Sequence, residues 1–143
     1  MKRNLFLLIL LLVSFCGLLN AQTIDFNKAD LSAYGQRLND DKKYDSAIIV
    51  FRQSIIRRKN LGNLDSLAFD QFNIGYAFHL SGQLDSAITN YQRTEEILQA
   101  SNNFSSLKGK TYLNLGYVYK KKADYTNSLK YLFLAENSIP DQT

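Results

Sequence analysis

Residues 112–132 read YLNLGYVYKKKADYTNSLKYL, and two earlier stretches of the chain, residues 71–91 and 31–51, follow the same layout. Each stretch has a large apolar or aromatic residue directly before a glycine at its fifth position, and another large residue three positions after that glycine. The three glycines are therefore 40 and 41 residues apart. Such a regular interval indicates that the chain contains three copies of one structural unit.

The glycines at these positions predict close packing of two helices in each unit. A glycine inside a helix costs about 1 kcal/mol relative to alanine, so a recurring glycine needs a compensating contact. A small residue follows each glycine by twelve positions, and a large apolar residue follows by sixteen. We expect the glycine of a first helix to face the small residue of a second helix, which lets the two axes approach. The structural positions so defined are Gly35, Ala47, Gly75, Ala87, Gly116 and Ser128.

This pattern resembles the tetratricopeptide repeat family, in a long-helix variety whose period is about 40 residues instead of 34. The resemblance, to repeats of exported bacterial proteins, implies an all-α, right-handed superhelical solenoid of three antiparallel helix pairs. The repeats would cover about residues 28–60, 65–100 and 105–140. Pro140 stands where the family closes a second helix before the next unit. The predicted helices cover residues 28–40, 44–60, 65–81, 84–100, 105–122 and 125–138.

The first 21 residues have the layout of a secretory signal peptide. A basic start (MKR, residues 1–3) precedes an apolar run over residues 5–19, and a small residue, Ala21, follows. A run of about 15 residues is shorter than the roughly 20 that span a bilayer as a helix. We expect cleavage between Ala21 and Gln22 and export of residues 22–143 to the periplasm or the extracellular cell surface, without an integral membrane segment. An uncleaved anchor and a lipid on Cys16 are the alternatives.

Composition argues against a nucleic acid partner and against disulfides. The chain has 17 basic and 13 acidic residues, and two of the basic residues belong to the leader, so residues 22–143 have a formal charge of +2. Proteins that bind nucleic acids usually carry a stronger basic patch. Cys16 is the only cysteine, so residues 22–143 cannot form a disulfide.

No arrangement of residues in the sequence suggests catalysis. His79 is the only histidine, and no cluster of ligands has the spacing of a metal site, which needs three or four converging groups. Nucleophilic catalysis needs a base beside a serine, threonine, cysteine or lysine, and His79 has no such motif around it. We therefore expect a protein that is not an enzyme and that uses neither a metal ion nor a cofactor.

The resemblance implies that the first helix of each repeat lines a concave groove, and that the groove binds a protein or a peptide. Aromatic rings there would cover apolar side chains of an extended peptide, while Asn73 and Asn114 would hydrogen-bond its backbone. Two alternatives stay open: the asparagines only bond a neighbouring helix, and His79 is a half-buried structural residue. The candidate groove residues are Gln36, Asn39, Phe72, Asn73, Tyr76, His79, Lys110, Asn114, Tyr117 and Lys121.

The leading functional hypothesis is thus an interaction scaffold outside the cytoplasm. The alternative is the sensory input region of a signalling protein, a histidine kinase or a transcription regulator, cut short after its repeats. The basic runs at residues 57–59 and 120–122 are interpreted as solvated helix ends, where the helix dipole favours positive charge.

The last predicted helix has more apolar surface than its partner helix can cover. We expect it to be covered either by further repeats of a longer protein or by self-association. The apolar residues concerned are Leu129, Tyr131, Leu132, Phe133, Leu134 and Ala135.

Overall fold

A computed structural model describes residues 30–59, 62–100 and 105–138, and these residues form six α-helices and no strand. The helices are α1 (Leu31–Asp40), α2 (Tyr44–Lys59), α3 (Leu64–Leu80), α4 (Leu84–Gln99), α5 (Ser105–Lys121) and α6 (Tyr125–Glu136). Every predicted helix is present; α1 begins three residues later than predicted, and the other described ends lie within two residues of the predicted ones. The leader over residues 1–21 and Pro140 lie outside the described residues, so their roles stay predictions.

The helices pack in sequence order, each one against the next. Turns of three residues join α1 to α2, α3 to α4 and α5 to α6, which makes each pair an antiparallel hairpin. The first helices also contact one another, α1 with α3 and α3 with α5, whereas among the described residues no Cα atom of α2 lies within 8 Å of one in α4. This arrangement is an all-α, tetratricopeptide-like helical repeat solenoid, as predicted. One side is lined by α1, α3 and α5, and the other by α2, α4 and α6.

The turn inside each hairpin has the same backbone geometry. Lys42, Gly82 and Ala123 occupy equivalent positions and all have positive φ, of 60°, 81° and 60°. The next amide bonds back over five residues in each case, as in Gln83 N–H to the Phe78 carbonyl oxygen at 2.9 Å. Such a bond caps carbonyls that the helix leaves unpaired at its C-terminus. The shared turn explains why the pair geometry repeats although only one of the three positions is a glycine.

The recurring glycines make room for the large residue of the second helix, which corrects the predicted contact. A Cβ built on Gly35 would lie 2.7 Å from the Phe51 ring, and one on Gly75 would lie 2.8 Å from the Tyr91 ring. These rings, and not Ala47 or Ala87, provide the nearest atoms. Both rings are fully buried, so each glycine admits an aromatic anchor into the core of its hairpin.

At Gly116 the prediction is correct in part. A Cβ there would lie 2.7 Å from the Leu132 side chain and 3.3 Å from the backbone oxygen of Ser128. The Ser128 hydroxyl donates to the Gly116 carbonyl oxygen at 2.9 Å. The small residue of the third hairpin therefore touches the glycine, as expected, and adds a hydrogen bond that an alanine cannot make. Among the described helices, none is long and apolar enough to cross a membrane.

Candidate peptide-binding groove

The groove predicted from the sequence is the side of the solenoid that α1, α3 and α5 line. Its most accessible aromatic residues are Tyr76 on α3, 37% exposed, and Tyr117 on α5, 48% exposed. Each tyrosine directly follows the repeat glycine of its helix, so the two rings occupy equivalent positions on neighbouring helices. Lys110 and Lys121 are exposed on α5, while Gln36, Phe72 and Asn114 are partly buried. Asn39, Asn73 and His79 are buried.

Phe72 lies beneath Tyr76 and is partly buried. Its ring stacks on Tyr76 with centroids 6.3 Å apart and an angle of 7° between the planes. On its other side it meets the buried Tyr91 ring at 5.5 Å. Burial raises the pKa of Tyr91, and the nearby Tyr76 raises it further. The three rings form a continuous aromatic stack from the core to the surface, which holds Tyr76 in place.

Asn73 and Asn114 both use their amide nitrogen within their own helix. Asn73 Nδ2 donates to the Phe69 carbonyl oxygen at 2.8 Å, and Asn114 Nδ2 donates to the Lys110 carbonyl oxygen at 2.9 Å. Asn73 thus bonds within its own helix, whereas Asn114 also has a polar contact with His79 of α3, as the structural alternative expects. An amide oxygen at such a position is an acceptor that a peptide N–H can use.

His79 lies at the junction of α3 and α5. Burial lowers the pKa of the imidazole, the positive charge of Lys121 lowers it further, and a polar contact with Asn114 acts in the opposite direction. Burial and the Lys121 charge therefore favour the neutral form of the imidazole. Its Nδ1 is buried and has no hydrogen-bond partner among the described residues. The structure thus brings His79, Asn114 and Lys121 together, three of the ten predicted groove residues.

Asn39 occupies on α1 the position that His79 occupies on α3, four residues after the repeat glycine. It is buried, and neither Nδ2 nor Oδ1 has a hydrogen-bond partner in the described part of the chain. A buried polar group without a partner costs about 1–3 kcal/mol. Equivalent positions of the two helices therefore hold polar atoms whose hydrogen-bonding capacity is unused.

A buried polar network joins the first two hairpins and was missed in the sequence. Asp70 on α3 is fully buried, accepts a 2.5 Å hydrogen bond from the Ser32 hydroxyl of α1, and lies 3.0 Å from Arg58 Nε of α2. Arg58 also donates to Ser54 at 3.0 Å and to Ser32 at 2.8 Å. The Nε hydrogen is directed at Ser54, so Asp70 Oδ2 has an ionic partner but accepts no hydrogen bond among the described residues.

The interpretation of residues 57–59 as a solvated helix end is therefore wrong for Arg58, which pairs with the buried Asp70. Burial raises the pKa of Asp70, while the hydrogen bonds from the serines and the charge of Arg58 oppose that rise. The network ties α1 and α2 to α3. A sequence signal existed: Asp70 is a lone acid inside the mostly apolar stretch over residues 67–78.

The described residues contain no group of three or more histidine, cysteine, aspartate or glutamate side chains that could hold a metal ion. Residues 109–140 match the family model described as Tetratricopeptide repeat. The match covers most of α5 and all of α6, so sequence and geometry agree on the nature of this hairpin. No curated protein matches the sequence.

The fold of the described residues and the matched segment are consistent with an all-α, tetratricopeptide-like helical repeat solenoid. Such repeats generally mediate protein–protein interactions, and proteins built from them are typically scaffolds without catalytic activity.

Proposed function

We propose that this protein is an interaction scaffold that binds an extended peptide segment of another protein along α1, α3 and α5. The observation that carries the proposal is the pair Tyr76 and Tyr117, two exposed rings at equivalent positions of contacting helices. Exposed tyrosines bring large contact area and a polar hydroxyl with little side-chain entropy to lose. Two rings at a repeat interval suit a ligand that runs across the helices.

The polar residues beside the rings support a backbone-directed mode of binding. Asn73 Oδ1 can accept from an N–H group of the ligand, while Asn114 and His79, which contact each other, provide further polar atoms beside the rings. Lys110 and Lys121 give the α5 end of the groove a positive charge, and Asp40 is exposed at the α1 end. The ligand would therefore place its acidic end on α5.

Site-specific photocrosslinking tests this function in the native host. A benzophenone amino acid at position 76 or 117 should trap the same partner, because both positions face one groove. The matched control is position 46, where Ser46 is exposed on α2 outside the groove. Adducts at position 46 but not at positions 76 and 117 would rule out binding in the groove.

We further propose that the scaffold works outside the cytoplasm, in the periplasm or at the cell surface. The basis is the leader over residues 1–21. Mass spectrometry of the protein from its own host should find Gln22 at the N-terminus. An intact Met1 or a lipid on Cys16 would contradict export with cleavage between Ala21 and Gln22.

The outer face of α6 favours a second role, self-association of the scaffold. Tyr125, Leu129 and Phe133 follow one another at four-residue intervals and are 63%, 69% and 65% exposed. Residues at this spacing form one continuous stripe along a helix. The stripe is uncharged, so a second copy related by a two-fold axis can cover it without opposing like charges.

A further inference from the structure

A second concave surface lies on the opposite side of the solenoid, between α2 and α4. The Cα atoms of these two helices stay more than 8 Å apart within the described residues, and a cleft of about 570 Å³ with α3 as its floor lies between them. The groove lined by α1, α3 and α5 shares no candidate residue with this cleft. It is therefore a separate site.

The floor of the cleft is apolar and well defined. Ile55 of α2 and Ile74 and Phe78 of α3 line it, and Ile56 stands at its edge, 59% exposed. Ile56 and the floor together offer apolar surface. One or two side chains of a ligand, inserted into a recess of this volume, can cover that surface.

A hydrogen-bonded pair of amides closes the floor next to α4. Gln71 Nε2 donates to Asn90 Oδ1 at 2.7 Å, and Asn90 Nδ2 donates to the Ser86 carbonyl oxygen at 2.7 Å. These bonds fix both side chains, so the recess is preformed and need not open for a ligand.

The rim of the cleft is positively charged. Arg52 and Lys59 of α2 and Arg93 of α4 line it, and within the described chain none of the three has an ion-pair partner. Asp85 also lines the cleft, but its carboxylate forms an ion pair with Lys122 of the next hairpin and so does not neutralise these three cations. Three free cations around an apolar floor attract a ligand that is acidic and carries apolar side chains.

We propose that the cleft between α2 and α4 binds an acidic amphipathic segment of a partner protein. Apolar side chains of the segment insert between the two helices against Ile55, Ile74 and Phe78, while its carboxylates pair with Arg52 and Arg93 at the rim. A protein segment fits better than an anionic membrane because the apolar surface is recessed between helices, where a flat bilayer cannot reach it.

The test uses a fluorescein-labelled 16-residue helical peptide with leucines on one face and glutamates on the other. We expect the purified protein to bind it with a Kd below about 1 mM, and at least about tenfold more tightly than a peptide with lysines in place of the glutamates. An acidic peptide with alanines in place of the leucines should also bind at least about tenfold more weakly, because it cannot fill the floor.

Charge-reversal variants then locate the site. Arg52→Glu/Arg93→Glu should weaken binding of the acidic peptide by at least about tenfold. Lys43→Glu/Lys130→Glu, which makes the same change in net charge outside the cleft, should alter the Kd less than about twofold. Circular dichroism confirms that each variant keeps its helices, and Ile56→Ala provides a second, uncharged variant that should also weaken binding.

Three results would overturn the proposal. The first is no binding of the acidic peptide at 1 mM, and the second is equal weakening by the two charge-reversal pairs. The third is binding to vesicles of phosphatidylserine and phosphatidylcholine that exceeds peptide binding and disappears in Arg52→Glu/Arg93→Glu. That result would assign the cations to a membrane surface.

Discussion

Gly75 of α3 lies directly against the ring of Tyr91 on α4, so close that a methyl group on Gly75 would be 2.8 Å from Cδ1 of the ring. Gly35 and Phe51 repeat this relationship in the first hairpin. The absence of one side chain thus lets a large aromatic residue enter the space between two helices. Since Tyr91 also supports Phe72 and through it Tyr76, the same contact positions an exposed ring of the groove.

Gly75→Ala should therefore destabilise the protein although alanine is the better helix former. Overpacking of a filled core costs about 1–3 kcal/mol, whereas alanine in place of glycine gains up to about 1 kcal/mol in a helix. Gly109→Ala is the matched control, because a Cβ there would meet Ser138 Cβ at an ordinary 3.5 Å. Urea denaturation should show a loss of stability for the first variant and a gain for the second. Equal gains would mean that Gly75 is not needed for close packing.

Arg58→Met should destabilise the protein by about 3 kcal/mol at pH 7, because it leaves the buried Asp70 carboxylate without its cation. The cost should shrink toward pH 4. Loss of Arg58 raises the folded-state pKa of Asp70 further above the unfolded value, so the folded variant binds more protons than the unfolded chain and loses stability as pH rises through that window. Denaturation at the two pH values measures the difference. The control is Arg52→Met, an exposed arginine of the same helix, and a pH-independent cost for Arg58→Met would contradict this account.

Self-association through α6 should depend on its exposed stripe. Phe133→Glu or Leu129→Glu should yield a folded monomer in sedimentation experiments, because a carboxylate in an apolar interface is costly. Leu132→Glu should instead unfold the third hairpin, since Leu132 packs against Gly116. A protein that is already monomeric at high concentration would rule out this role for the stripe.

The helices and their ends could be predicted because their signals are local. The apolar spacing and the turn residues lie within one repeat. The glycines recur at a nearly constant interval, so each repeat supports the alignment of the other two. The partner of Gly75 could not be predicted in the same way. Residues twelve and sixteen positions later both lie on the same face of the second helix, and only the side-chain rotamer decides which one fills the space.

The candidate sites could be predicted only where one helix carries the signal. Tyr76 and Tyr117 could be named as groove candidates because the family resemblance assigns one face of each first helix to the groove, and binding there stays a prediction. The partnership of Arg58 and Asp70 depends on how two hairpins stack, so the basic run at residues 57–59 gave no indication of it. The cleft between α2 and α4 likewise arises from the spacing of helices in different repeats, which no local pattern encodes.

The central claim is that the groove lined by α1, α3 and α5 binds the partner. The most direct test compares the Kd of the crosslinked partner segment for the unaltered protein, for Tyr76→Ala, for Tyr117→Ala and for the double variant. Truncation of an anchoring aromatic residue commonly costs about 2 kcal/mol, so each change should weaken binding about 30-fold while circular dichroism stays helical. The matched comparison is Arg52→Glu/Arg93→Glu, which alters the opposite side of the solenoid. A Kd that survives loss of both tyrosines but rises in the arginine variant would contradict the account and move the binding site to the cleft between α2 and α4.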